Sequence, residues 1–143
     1  METILLSDTE TDLERAAAWI QAGEVVGMPT ETVYGLAADA CNPEAVKKVF
    51  AAKGRPADNP LIVHISEMEQ LSGLVTAVPD LAYRLAERFW PGPLTMILPK
   101  RDCIPSVTSG GLDTVGIRLL ERHALLLRLT DPQIAAYQIQ LPR

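Results

Sequence analysis

Residues 28–66 read MPTETVYGLAADACNPEAVKKVFAAKGRPADNPLIVHIS, and this stretch decides the fold. Asn42-Pro43-Glu44 is a helix start: Asn supplies a side-chain cap, Pro suits the first helical position, and the acid complements the helix dipole. Ala45, Val46, Val49 and Phe50 recur at helical spacing and predict its buried face. Gly54 and Pro56 stop it. Asn59-Pro60 then turns the chain into Leu61-Ile62-Val63-His64-Ile65, a short apolar run that predicts a central strand. On the other side, Glu24 to Met28 reads as a buried strand ended by Pro29. From Thr30 to Ala40 the propensities conflict, with Thr32, Val33 and Tyr34 favouring strand and the alanines favouring helix, so no element is assigned there.

Working outward, Asp12 to Ala22 has Leu13, Ala16, Ala17 and Ile20 at helical spacing, with Thr9 or Thr11 as cap and Gly23 as stop. Glu67 to Leu71 predicts a short helix. Pro79 to Trp90 predicts a longer one, with Leu81, Leu85 and Phe89 at spacing four. Leu94 to Leu98 and Thr114 to Arg118 read as strands, joined through the loop Pro99-Lys100-Arg101-Asp102 and a flexible turn at Ser109-Gly110-Gly111. His123 to Leu129 has helical character, and the remaining TDPQIAAYQIQLPR shows no strong period. Helices alternating with short β-rich runs predict an α/β or α+β open sheet in a single domain over residues 1–143.

Composition narrows the function classes. With 143 residues, 48% of them hydrophobic and 22% charged, the chain has enough apolar material for one core and is not a disordered polymer. No apolar run reaches the length of a membrane helix, and the first residues carry acids where a signal peptide carries lysines. A cytoplasmic protein without membrane partners is therefore expected. The net charge of −5 argues against a general grip on nucleic acid, which needs several phosphates neutralised together. Lys47, Lys48, Lys53 and Arg55 are the one basic cluster. Cys41 and Cys103 lie far apart in sequence with no CxxC pairing, so two free thiols are expected, and no protein-held metal.

Four groups of residues carry chemistry. Lys53 and Arg55 flank Gly54 at a helix end, which either complements the helix dipole or presents two cations to one anion. Thr30 and Thr32 follow a strand-ending proline, as turn and capping residues or as ligands at a strand edge. His64 sits between Val63 and Ile65, as a hydrogen-bonded structural histidine or with one polar face in a cleft. Thr114 and Arg118, four apart on a strand, share one face, as a solvent-facing pair or as an anion or carboxylate site. The sequence contains no GxxxxGK[ST] loop, GxGxxG, HExxH or GxSxG.

In their order along the chain, Pro29-Thr30-Glu31-Thr32-Val33-Tyr34-Gly35-Leu36, Lys53-Gly54-Arg55-Pro56, Asn59-Pro60-Leu61, Trp90-Pro91-Gly92-Pro93-Leu94-Thr95 and Gly111-Leu112-Asp113-Thr114-Val115-Gly116-Ile117-Arg118 resemble the YrdC/Sua5 family of threonylcarbamoyl-AMP synthases. The resemblance covers roughly residues 10 to 118. It implies a twisted, open, mixed α/β sheet with flanking helices and a large concave face. It also implies a reaction: L-threonine, bicarbonate and ATP give threonylcarbamoyl-AMP and pyrophosphate, for the N6-threonylcarbamoyl modification of tRNA. By this resemblance Thr32, His64 and Arg118 would hold L-threonine. Lys53, Arg55, Asn59 and Thr114 would contact ATP, with Lys53 and Arg55 stabilising charge in the reaction. Mg2+ would arrive on the triphosphate, and the partners would be the tRNA-modification enzymes that use the product, with RNA as a further ligand of the family.

Beyond Arg118 the motifs lapse. Leu119-Leu120-Glu121-Arg122 stands where the family has a proline-containing turn, and Ala135-Ala136 leads into Tyr137-Gln138-Ile139-Gln140 instead of Pro-Ser-Ala-Asn. Residues 119–143 therefore read as divergent, and the chain as a truncated or frameshifted synthase, incomplete at its C-terminus. A missing cleft wall, an exposed strand edge and uncovered apolar surface are the expected consequences. A non-catalytic double-stranded-RNA-binding module and an inactive fragment are the alternatives to an active enzyme.

Overall fold

The computed structural model describes residues 2–29, 34–54, 56, 58–120 and 134–138, the last as a strand backbone. Helix α1 (Glu10–Gln21) starts where Thr9 Oγ1 accepts from the Asp12 amide at 3.4 Å, with Glu10 and Asp12 in its first turn. Strand β1 (Val26–Pro29) follows, then β2 (Tyr34–Asp39), so most of the segment with conflicting propensities is extended. Helix α2 (Pro43–Lys53) begins as its sequence predicts: Asn42 Oδ1 accepts from the Glu44 and Ala45 amides at 3.1 and 3.3 Å. Gly54 closes it with a φ of 61°.

Strand β3 (Ile62–Ile65) is followed by a 3-10 turn (Met68–Gln70), α3 (Leu71–Leu74), α4 (Asp80–Phe89), β4 (Met96–Pro99), β5 (Thr114–Leu119) and β6 (Ile134–Gln138). The short helix expected at Glu67 to Leu71 is thus split between the 3-10 turn and α3. The strand expected from Leu94 begins two residues later, after the Trp90-to-Thr95 motif has made its turn.

The strands form one mixed sheet in the order β1-β2-β6-β3-β5-β4. Strands β3 and β5 run parallel and the other neighbours antiparallel. Strand β6 corrects one expectation. The terminal segment showed no period, yet it supplies a strand paired on both sides, to β2 and to β3. Among the described residues the sheet edges are β1 and β4. Two alanines in IAAYQ weaken the β-propensity of the segment. The helix expected at His123 to Leu129 lies outside the described residues.

The main core lies on one side of the sheet. There α2, α3 and α4 cover Val63, Ile65, Val115, Ile117 and Leu119, with Val46, Phe50, Leu71, Leu74 and Trp90 filling the layer. Helix α4 faces this core through Ala82 and Ala86, while Leu81 and Phe89 are 61% and 50% exposed. Of the three residues at spacing four, Leu85 packs partly buried against this core and the other two face outward. Ala82, Ala86 and Trp90 share the same spacing of four, and all three are buried in the core cluster. On the opposite side α1 covers one end alone, packing Ala16, Ala17 and Ile20 on Met28, Ala37 and Leu120.

Candidate functional site

The other end of that second face is where the candidate residues gather. Along β5, Val115, Ile117 and Leu119 point into the core, so Thr114, Gly116 and Arg118 point the other way and are partly exposed. The parallel register pairs Ile62 with Gly116 and His64 with Arg118. Cross-strand partners share a face, so His64 and Arg118 stand side by side. Four residues separate Thr114 from Arg118, a span of roughly 13 Å along a strand.

His64 is 1% exposed, beneath a partly exposed Arg118. The Arg118 guanidinium is anchored by Thr95, whose Oγ1 accepts from Nε at 3.1 Å and from Nη2 at 2.8 Å. Sequence reading placed Thr95 in a motif but gave it no role. Its proximity to Arg118 arises from the antiparallel pairing of β4 with β5 and is invisible in a separation of 23 residues.

At the other end of β3 and β5 the turn carrying Asn59 packs against the loop that leads to Thr114. The Leu61 amide donates to Thr108 O at 2.9 Å, and the buried Thr108 hydroxyl donates to Ala40 O at 2.8 Å. Gly110, with a φ of 61°, lies against the turn carrying Asn59: a Cβ there would be 3.0 Å from Asp58 O and from Pro60 N. The turn expected to be flexible is therefore packed, with Ser109 0% exposed. Asn59 is exposed and Thr114 partly exposed on this side. Lys53, partly exposed, ends α2 and opens the connection to the same strand entrance. Thr32 and Arg55 lie outside the described residues.

The basic cluster is less basic in space than in sequence. Lys47 Nζ pairs with Glu44 at 2.7 Å, and Lys48 Nζ with Glu24 at 3.0 Å while also donating to Gly23 O. Such surface pairs contribute little stability, at most about 1 kcal/mol each. They do match two of the four cations with acids, which reduces the charge excess that phosphate binding over this surface would use.

Two titratable groups near the sheet end are perturbed. Burial raises the Asp39 carboxyl above the usual range, partly offset by the Cys41 amide donating to Oδ1 at 2.9 Å. Burial also pushes the Cys41 thiol up to about 12, with Cys103 and Asp39 adding to the effect. Both cysteines are free thiols. Among the described residues, no cluster of three or more His, Cys, Asp or Glu side chains is placed to hold a metal ion. No helix among them is long and apolar enough to cross a membrane.

The fold is a mixed α/β sheet, helix-covered on one side and carrying His64, Thr114 and Arg118 on the other. The comparisons with known proteins make the class specific. The Sua5/YciO/YrdC family model, described as telomere recombination, matches residues 18–136, past the last motif at Arg118. The chain belongs to this family. It is 52% identical over 122 residues to a threonylcarbamoyl-AMP synthase of Pyrococcus abyssi, covering 85% of this chain and 36% of that protein. The corresponding Bacillus subtilis synthase is 51% identical over 125 residues, covering 87% and 36%. The structure of P. abyssi Sua5 complexed with L-threonine superposes with a TM-score of 0.90 at 49% identity, covering 94% of this chain and 42% of the other. The chain thus spans little more than a third of the length of these two synthases.

Proposed function

We propose that this chain carries the threonine- and ATP-binding sheet of a threonylcarbamoyl-AMP synthase, a nucleotidyltransferase that makes L-threonylcarbamoyladenylate and pyrophosphate from L-threonine, bicarbonate and ATP. The observation that carries this reading is the two-ended face of β3 and β5. His64 and Arg118 lie together at one end, and Asn59 and Thr114 at the other. Support comes from relatives named as this synthase and from the similarity to a solved structure holding L-threonine.

In this reading Arg118 receives the threonine carboxylate, for which a planar guanidinium fork is suited. His64 acts from beneath it, and Thr32 completes the amino-acid subsite. Asn59 and Thr114 contact ATP at the opposite end, with Lys53 and Arg55 on the phosphates. The threonine amine adds to bicarbonate with loss of water to give a carbamate. A carbamate oxygen then attacks the α-phosphorus, forming the new P–O bond as the bond to pyrophosphate breaks. The residues contribute positioning and charge stabilisation. Mg2+ bound to the triphosphate offsets phosphate charge and is held chiefly by phosphate oxygens and water. The product would pass to the enzymes that install the N6-threonylcarbamoyl group on tRNA.

The test is pyrophosphate release by this 143-residue chain, measured with and without L-threonine and bicarbonate. Release is expected to require both, and Lys53→Ala or Arg55→Ala to abolish it. Turnover unchanged in both variants refutes their phosphate role. Tight binding of double-stranded RNA without any ATP-dependent reaction would replace the enzyme reading with that of an RNA-binding module, a reading weakened by the acid partners of Lys47 and Lys48.

A further inference from the structure

Arg118 is useful to a carboxylate only if its fork is held in one plane, since an arginine on an open sheet face otherwise samples many rotamers. The structure contains a device for this at Thr95. The chain around Thr95 is pinned before β4 begins: Trp90 Nε1 donates to Leu94 O at 2.7 Å, and the Gly92 amide donates to Leu119 O at 3.0 Å. The next residue, Met96, is already in register with Ile117. The Thr95 side chain is held from below as well. A Cβ on Gly116 would be 3.1 Å from Thr95 Cγ2, so the methyl group rests where a side chain at position 116 would stand. With the methyl seated there, the hydroxyl turns toward Arg118 and takes both Nε and Nη2 on one oxygen.

We propose that Thr95, seated over Gly116, is the positioning residue that sets the guanidinium plane of Arg118, directing the edge formed by its two terminal nitrogens toward the carboxylate of the amino-acid substrate. The assignment rests on the reading of Arg118 as the carboxylate receptor. It makes Gly116 part of the same device although it has no polar side chain. Thr95→Val removes the acceptor and keeps the shape. Thr95→Ser keeps the acceptor. Gly116→Ala leaves every polar group in place and displaces the methyl.

Two measurements on the full chain test it: the side-chain 15Nε–1H NMR signal of Arg118, and binding of L-threonine compared with L-threoninol, which lacks the carboxylate. Thr95→Val and Gly116→Ala are both expected to shift or broaden the Nε–H signal. Both should weaken L-threonine binding about 10-fold, as expected for losing a hydrogen bond to a charged group. L-threoninol should be nearly unaffected, and Thr95→Ser should restore the wild-type preference. A loss shared equally by both ligands would mark Thr95 as merely structural and overturn the proposal. So would unchanged L-threonine binding in Thr95→Val. If the wild-type chain takes up no L-threonine, the proposed function fails. The Nε–H signal then decides separately: a change in both variants upholds the positioning role, and an unchanged signal overturns it.

Discussion

Replacing Gly110 by alanine tests whether the sheet entrance is built on a single close approach. Gly110 has a φ of 61°, where a residue with a Cβ is destabilised by about 1–2 kcal/mol. The added methyl would also stand 3.0 Å from Asp58 O, 3.0 Å from Pro60 N and 3.1 Å from Pro60 Cδ. These are backbone and ring atoms, so no flexible side-chain tip can swing aside. The turn itself is tied through Leu61 N to Thr108 O and, through the Thr108 hydroxyl, to Ala40 O. Forcing it back is an overpacking cost of about 1–3 kcal/mol. Gly110→Ala is therefore expected to lose about 2–5 kcal/mol, the sum of the two contributions. Gly111 is the internal control: its φ is 80°, but a Cβ there has no neighbour within 4 Å. Gly111→Ala should carry the backbone cost alone, about 1–2 kcal/mol. Urea unfolding, compared at equal m-values, measures both. On the proposed role of Asn59 in ATP binding, that binding should fall further in Gly110→Ala, because the displaced turn carries this residue. Equal stability losses in the two variants would refute the close approach as a structural element.

Two further predictions concern titratable groups. The raised Asp39 pKa means that the fold favours the protonated carboxyl. Its contribution to stability is full below the unfolded pKa and is lost as pH rises through the folded one. Asp39→Asn, which keeps the acceptor for the Cys41 amide, should be at least as stable as wild type near pH 7 and show a smaller fall in stability from pH 4 to 7. Urea midpoints across that range check this, and an unchanged pH profile would contradict it. Cys41, with its thiol pushed up to about 12, should resist iodoacetamide at pH 8, where only ~10⁻⁴ of it is thiolate, whereas the exposed Cys103 reacts. Mass spectrometry of the alkylated peptides distinguishes them, and equal native-state rates would rule out the burial argument.

How much was legible before the structure depended on whether the cause was local. The start of α2 was readable because Asn42, Pro43 and Glu44 act on their own backbone, whereas the choice between Thr9 and Thr11 as cap of α1 was left to the structure, which uses Thr9. The buried stripe of α4 was not. Leu81, Leu85, Phe89 and Ala82, Ala86, Trp90 have the same period, and the choice between them depends on which neighbours already fill the layer. Part of the pairing within the basic cluster was hidden for a similar reason. Lys48 meets Glu24 across 24 residues, a pairing that composition registers only as net charge. At the candidate site, Thr114 and Arg118 share a face by simple alternation, but the partner of Arg118 does not follow from any spacing.

By itself the sequence determined the start and stop of α2, the apolar runs that become β3 and β5, and the ordered motifs of the family. These follow from propensities, capping and alternation, which act over a few residues. Tertiary structure alone decided that a featureless segment at 134–138 becomes a strand inside the sheet. It also decided that His64 stands beside Arg118, that Thr95 holds the guanidinium from the start of the neighbouring β4, and that Gly110 braces the turn of Asn59. Each of these is a contact between distant segments, and its energy depends on strand register and on space left by other side chains. Neither quantity exists until the sheet has formed.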